Sequence, residues 1–362
     1  MERRTLGRTG LAVSTLGVGG HTYPVGDGPD YYASHEQRAA LIGRLLEAGV
    51  NYFDTTWLNE LELLVDSFDR LGVLDRVNPM PGHAGADPSE RIVVSCQAVD
   101  GCTDLPDEPR EQLRKEVMQR LSLLKLNCLP LFIVGIGNGH PSAARVIDIC
   151  TALDELRAEG LISCPGLSCH DVTAFDTIAD IIEDGARIDY LMLRFNPKWP
   201  NAATRLLKVA AEENIGVVGM KVFCWDCPRD ASPASGASHM WTRRVSVFEP
   251  KSATAESQAA SASQSKEALT WVLQHEPIAT IVPSINATWE AEANIAAATE
   301  ASGRPRLAAM GQAAPMPQEL AGAAQRLWSK ADVQELADQA EAQVIKDRCA
   351  AALEDLPPTQ AL

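Results

Sequence analysis

The chain lacks any apolar run near the roughly 20 residues that span a bilayer, which excludes a helical membrane protein as its expected class. Its opening, Met1-Glu2-Arg3-Arg4-Thr5-Leu6-Gly7-Arg8-Thr9-Gly10, lacks the apolar core of a secretory signal, so the expected compartment is the cytoplasm. A basic surplus is also missing. Lys and Arg number 32 against 48 Asp and Glu, a net charge of −16. That sign argues against nucleic acid and against anionic membrane surfaces as partners, and leaves a small-molecule substrate as the expected one. What is present supports a globular enzyme-sized body: 362 residues, 46% of them hydrophobic, enough for one large domain or two ordinary ones. The nine cysteines are an odd count scattered through strand-like and helix-like stretches. In a cytoplasmic chain they read as reduced, buried, small apolar residues.

Short apolar runs alternate with amphipathic stretches from residue 11 to about 295. The strand-like runs are Thr15–Gly19, Asn51–Asp54, Ile92–Cys96, Leu131–Ile136, Cys164–Ser168, Tyr190–Arg194, Val217–Lys221 and Thr280–Pro283. Between them Glu36–Ala48, Glu111–Leu124, Ala143–Glu159, Val172–Asp184, Asn201–Glu213 and Lys266–His275 carry apolar residues at three- and four-residue spacing, the helical period. Eight strand–helix units predict a closed parallel (β/α)8 TIM barrel rather than an open sheet. The near-continuous apolar strands fit burial on both faces. Two segments break the rhythm. Residues 228–265, rich in Ala, Ser and Pro, read as a long loop after strand seven. Residues 301–362 read as a C-terminal helical extension, marked by Leu327, Val333, Leu336, Ala340, Val344 and Ala351, packed on the barrel of residues 1–300 or on a partner.

Several motifs carry a resemblance. Arg4-Thr5-Leu6-Gly7-Arg8-Thr9-Gly10 leads into Leu16-Gly17-Val18-Gly19-Gly20. Gly49-Val50-Asn51-Tyr52-Phe53-Asp54 is an apolar strand ending in an acid. Gly166-Leu167-Ser168-Cys169-His170 and Asn214-Ile215-Gly216-Val217-Val218-Gly219-Met220-Lys221 follow in order. Ile281-Val282-Pro283-Ser284 and Glu292-Ala293-Asn294 close the series. Together they resemble the aldo-keto reductase family. The resemblance implies a barrel of that type, NADP as cofactor and carbonyl reduction by hydride transfer. A tyrosine protonates the developing alkoxide, a lysine lowers the tyrosine's pKa, an acid holds the lysine charged and a histidine orients the substrate oxygen.

Residue by residue, only the acid carries over, as Asp54. The tyrosine position holds Asn59, with Trp57 nearby. Gln97 stands where the lysine is expected, and Val134 or Gly135 where the histidine is, depending on register. Of the expected cofactor contacts Ser168 matches, its asparagine neighbour is Cys169, and the glutamine of strand six falls on Met192. Lys221, Pro283, Ser284 and Asn294 complete the expected cofactor set. A proton relay of another kind is expected from Asp54, Asn59, Gln97 and His170, aided by His21. Trp57, Arg194 and Asn196 are the candidate substrate contacts.

Other readings of the same strand ends stay open. His21, Asp54, Cys169 and His170 offer imidazole, carboxylate and thiolate ligands for zinc, but their spacing matches no metal motif, and no metal is expected. Cys224-Trp225-Asp226-Cys227 has a redox spacing but leads into a Pro-rich loop. Lys221 invites comparison with Schiff-base lysines, and Gly17-Val18-Gly19-Gly20 with a phosphate loop, against the simpler reading as a tight strand-end turn. The leading expectation is an oxidoreductase acting on a small carbonyl or alcohol. A cofactor-free lyase or isomerase is one alternative, and a non-catalytic pseudoenzyme that binds a small molecule or a partner protein is the other.

Overall fold

A computed structural model describes residues 1–20, 34–77, 90–99, 101–136, 141–197, 203–223, 255–285 and 287–307. The chain begins with a hairpin of β1 (Arg3–Thr5) and β2 (Ala12–Ser14). Seven parallel strands follow: β3 (Tyr52–Thr55), β4 (Val93–Gln97), β5 (Leu129–Gly135), β6 (Ile162–Cys169), β7 (Tyr190–Arg194), β8 (Gly216–Met220) and β9 (Ile278–Ile281), paired in that order. The stretch 16–18 closes the ring. Leu16 bridges parallel to Ile281 and Val18 parallel to Phe53, which supplies the eighth stave of a (β/α)8 barrel. The Gly17 amide donates to the Ile281 carbonyl at 2.7 Å, and the Asp54 amide to the Val18 carbonyl at 2.8 Å.

The helices are α1 (His35–Glu47), α2 (Leu58–Leu71), α3 (Arg110–Leu124), α4 (Ala143–Ala158), α5 (Phe175–Glu183), α6 (Thr204–Glu212), α7 (Ala255–Leu273) and α8 (Thr288–Ala301). Local chemistry sets several ends. The Ser34 and Ser142 hydroxyls accept from the Gln37 and Arg145 amides and so satisfy free donors at the starts of α1 and α4. Gly72, at φ 66°, takes the left-handed turn that ends α2. Among the described residues no helix is long and apolar enough to cross a membrane. Every described cysteine is free, and all but Cys128 are buried.

Strand alternation divides the core in two. Phe53, Val94, Phe132, Val134, Leu167, Leu191 and Val217 face outward and pack under the helices. Tyr52, Val93, Leu131, Ile133, Tyr190, Met192, Val218 and Met220 face inward and fill the barrel. Leu6 and Val13 of the hairpin segment join the inner set, so the hairpin plugs the amino-terminal end.

The sequence reading of the long loop needs a correction. Ala255–Ser265, expected as part of a long loop, belongs to α7. Its Ala, Ser, Gln and Glu residues show no apolar period, but Ala, Gln and Glu are strong helix formers, and propensity carried the segment where pattern was silent. Residues 224–254 and 308–362 lie outside the described residues, and with them most of the expected loop and of the C-terminal extension. α2 was also missed: its apolar positions are diluted by four acids and an asparagine.

An ion pair behind the sheet braces the strand ends. Arg120 and Glu116 of α3 are both buried and stand 3.3 Å apart. Arg120 donates to the carbonyl of Gln97 at 2.6 Å, and Glu116 accepts from the amide of Val99 at 2.7 Å. The pair therefore holds the carboxyl end of β4 from both sides. Arg120→Met is expected to lower stability by about 3–5 kcal/mol, because it strands a buried carboxylate. Glu116→Gln added to it is expected to recover part of the loss. Urea denaturation of the two variants checks this.

Candidate active site

Inward-facing residues at the carboxyl ends of the strands line the mouth, where this architecture places its chemistry. Asp54 ends the inward row of β3, two residues above Tyr52. Its carboxyl is buried, and Oδ1 has no hydrogen-bond partner. Among the described residues no lysine or arginine forms an ion pair with it. Burial first, then the Glu60 carboxylate, push its pKa from 3.8 up to about 8, against the downward pull of the Gly20 amide, the Ser95 hydroxyl and the Thr55 amide. Asp54 is therefore largely protonated at neutral pH. Glu60 is itself fixed by capping α2, where Oε2 accepts from the amides of Thr56 (2.8 Å) and Trp57 (3.2 Å).

Gln97 stands on the next strand, one inward position above Ser95, the register partner of Asp54. Its Oε1 accepts a hydrogen bond from the Ser168 hydroxyl at 3.0 Å. Gly135 pairs in register with Ser168, and a Cβ on it would stand 3.5 Å from both Gln97 Nε2 and Ser168 Oγ. Of Val134 and Gly135, Val134 points outward into the helix-facing core and Gly135 lies on the inner side. Gln97, Gly135 and Ser168 form one patch, in which the neutral amide has the serine as its partner.

The other expected residues divide. Met192 is buried beside Ser168 in register, and Arg194 ends the inward row of β7, buried at the mouth. Asn196 donates from Nδ2 to the carbonyl of Lys221 at 3.1 Å, which ties the end of β7 to that of β8. Lys221 has φ 57°, a left-handed backbone that costs a non-glycine residue about 1–2 kcal/mol, and the Asn196 bond holds it there. Pro283 is buried, with its carbonyl accepting from the Gly19 amide at 2.9 Å, and Ser284 is half-buried beside it. Asn294 of α8 is fully buried, and neither atom of its amide has a partner.

Three residues stand away from the inward set. Asn59 is exposed on the first turn of α2, and Trp57 is 41% exposed at that helix's start. Cys169 is directed outward into the helix-facing core, where its thiol donates to the Asp171 carbonyl; burial pushes its pKa up. This corrects its placement among the cofactor contacts, since side chains alternate along β6 and Ser168 takes the inner side. His170 is half-buried just past β6. His21, Cys224 and Cys227 lie outside the described residues. Among the described residues no three His, Cys, Asp or Glu side chains are placed to hold a metal. The glycines of the opening segment are packing residues: a Cβ on Gly19 would lie 2.8 Å from the Val282 carbonyl oxygen.

A layer of hydroxyls beneath Asp54 was not foreseen. Tyr52, Ser95 and Tyr190 are buried inside the barrel, with Ser95 Oγ and Tyr190 OH 3.2 Å apart. Polar residues at every second position, Tyr52/Asp54 and Ser95/Gln97, were the available signal.

The chain matches the model of the "Aldo/keto reductase family" over residues 15–302. Among solved structures it is similar to PA4992 of Pseudomonas aeruginosa, described as a candidate aldo-keto reductase, at 19% identity and a TM-score of 0.56. That match covers 83% of this chain and 95% of the other. It is also similar to the aldo-keto reductase AKR11C1 of Bacillus halodurans, at 18% identity and a TM-score of 0.52 for the apo form, covering 91% and 96%. The holo form gives 17% and 0.53, covering 88% and 99%. None of the curated proteins compared matches the chain.

The raised pKa of Asp54 carries a stability consequence. From about pH 4 to about pH 8 the folded chain keeps a proton that the unfolded chain has released. Stability contributed at this group therefore falls as pH rises across that window and levels off above it. Asp54→Asn is expected to remove the slope and to gain on the order of 2–5 kcal/mol on the native chain between pH 5 and pH 8.5. Denaturation midpoints at the two pH values measure it.

Proposed function

The chain belongs to the aldo/keto reductase family, and from that premise we propose that it is an oxidoreductase of a small carbonyl or alcohol in which the protonated Asp54 is the acid. The observation that carries this is a buried carboxyl at the barrel mouth, raised to about 8, with which no described lysine or arginine forms an ion pair. In the ordinary arrangement the acid serves a lysine, and the lysine serves a tyrosine. With Gln97 and Asn59 in those places Asp54 has no cation to hold, and its own proton lies in the range useful to catalysis at neutral pH.

The cofactor is a nicotinamide dinucleotide, which when bound supplies a hydride to the substrate carbon. Asn294 fits such a group, because a fully buried amide without partners is costly unless a ligand edge meets it. Ser284 and the Pro283 turn lie with it at the β9 end, and Ser168 offers a hydroxyl on the inner wall. Asp54 donates its proton to the carbonyl oxygen as the alcohol forms, becomes a carboxylate, and recovers a proton from solvent before the next turnover. Arg194 and Trp57 bound the substrate, with Asn196 holding the strand ends under it. His170 and Gln97 orient the polar end, and Lys221, Met192 and His21 complete the expected surroundings. Buried, unpaired thiols fit a reducing compartment, and we place the reaction in the cytoplasm.

One observation favours a second reading. Ser168 already donates to Gln97, so the contact expected for a nicotinamide amide is engaged within the chain. A barrel enzyme of lyase or isomerase type, with Asp54 as its acid and base, needs no such contact.

Fluorescence titration of NADPH at micromolar protein separates the two. Saturable binding is expected, weakened roughly tenfold by Asn294→Ala, about the loss of one or two good hydrogen bonds. Absence of saturable binding by the native chain removes the reductase reading. Asp54→Asn is expected to leave NADPH binding intact and to lower turnover of carbonyl substrates by about 10²–10⁴-fold.

A further inference from the structure

The proposed acid leaves the hydroxyls below it unexplained. Tyr52, Ser95 and Tyr190 are each 0% exposed. Phenol tips inside an apolar barrel are costly unless they meet partners. Neighbouring strands are cut away to admit both rings. A Cβ on Gly17 would stand 2.9 Å from Cδ1 of Tyr52, and a Cβ on Gly166 2.5 Å from Cε1 of Tyr190. Seated over Gly166, Tyr190 reaches Ser95 at 3.2 Å, although β5 and β6 lie between β7 and β4 in the sheet. The contact therefore crosses the barrel interior. Ser95 in turn is the register partner of Asp54 and stands close enough to influence its carboxyl.

We propose that Ser95 and Tyr190 are positioning residues for Asp54, a hydroxyl pair that points one hydrogen at its carboxyl and so fixes which oxygen carries the proton and how tightly. Ser95 has a single hydrogen. When that hydrogen faces Asp54, Tyr190 must be the donor to Ser95, and the pair acquires one direction, from phenol through serine to carboxyl. Oδ1, the oxygen without a partner, is then the one that bears the proton. Tyr52 closes the layer from the same strand. The other titratable groups coupled to Asp54 are Glu60 of α2, Tyr52 of its own strand, Cys96 of β4 and Tyr190 of β7. The closing segment 16–18 and β9 bring none.

The role in turnover rests on Asp54 being the reaction's acid, but the test does not. The carbonyl stretch of the Asp54 carboxyl, taken as the infrared difference between the full chain and its Asp54→Asn variant, is titrated with pH and gives a midpoint without any substrate. Ser95→Ala removes the proposed donor to the charged form, so the midpoint is expected to rise by about half a unit to one unit. Tyr190→Phe, which loses one oxygen and keeps the ring over Gly166, is expected to raise it in the same direction. Ser95→Thr, which keeps a hydroxyl, is expected to return the midpoint to the native value. The pH profile of kcat/KM is expected to move with the infrared midpoint. An unmoved or lowered midpoint in a folded Ser95→Ala or Tyr190→Phe variant overturns the proposal; if the alanine variant does not fold, the phenylalanine variant decides. A moved midpoint in a chain that reduces no carbonyl keeps the positioning role and removes the reductase reading. Carbonyl reduction with an unmoved midpoint does the reverse.

Discussion

A buried carboxyl with which no described lysine or arginine forms an ion pair is the constraint around which the mouth is organised. Ionised, Asp54 faces both desolvation and the neighbouring Glu60 carboxylate. Protonated, it needs only hydrogen-bonding neighbours, and the amides of Gly20 and Thr55 and the Ser95 hydroxyl stand around it. Gln97 on the next strand is consistent with the same economy. An amide beside a neutral acid carries no uncompensated charge, and its carbonyl oxygen is satisfied by Ser168. An ammonium or a carboxylate introduced alone at such a place would be stranded in this interior.

The scaffold keeps that arrangement rigid from outside. α3 places a buried arginine and glutamate against the back of β4, where they take up backbone groups of Gln97 and Val99 that the sheet leaves free. Asn196 does a similar service between β7 and β8. Strand ends carry the reacting groups, and these polar contacts hold the ends where sheet pairing has stopped.

Much of the barrel was legible because its signal is local. Tyr190–Arg194 was read with the boundaries the structure gives, and the other strands within a few residues, since near-continuous apolar runs leave little else to be. The choice between Val134 and Gly135 was not legible, because register decides which faces inward and register depends on neighbouring strands. α2 and Ala255–Ser265 were missed because acids and small residues obscure the apolar period. Asp54 was visible as the lone acid closing an apolar strand. The hydroxyl layer was not, since Ser95 and Tyr190 are 95 positions apart and meet only when the barrel closes. Cys169 misled for the same reason as Val134: adjacency along a strand says nothing of which side a residue takes.

The glycine seats under the two phenols have a consequence for lineage. Ring and socket are a lock made in two pieces at one of these seats: a methyl group at position 166 leaves no berth for an aromatic ring at 190, whereas one at 17 meets backbone oxygens of Tyr52 and Ile281 as well as the ring. Descendants and cousins of this chain can therefore shed the pair together or keep the pair together, but a half-exchanged barrel must pass through a misfitting intermediate. The vacant side chain at Gly166 is in that sense a record of the tyrosine across from it.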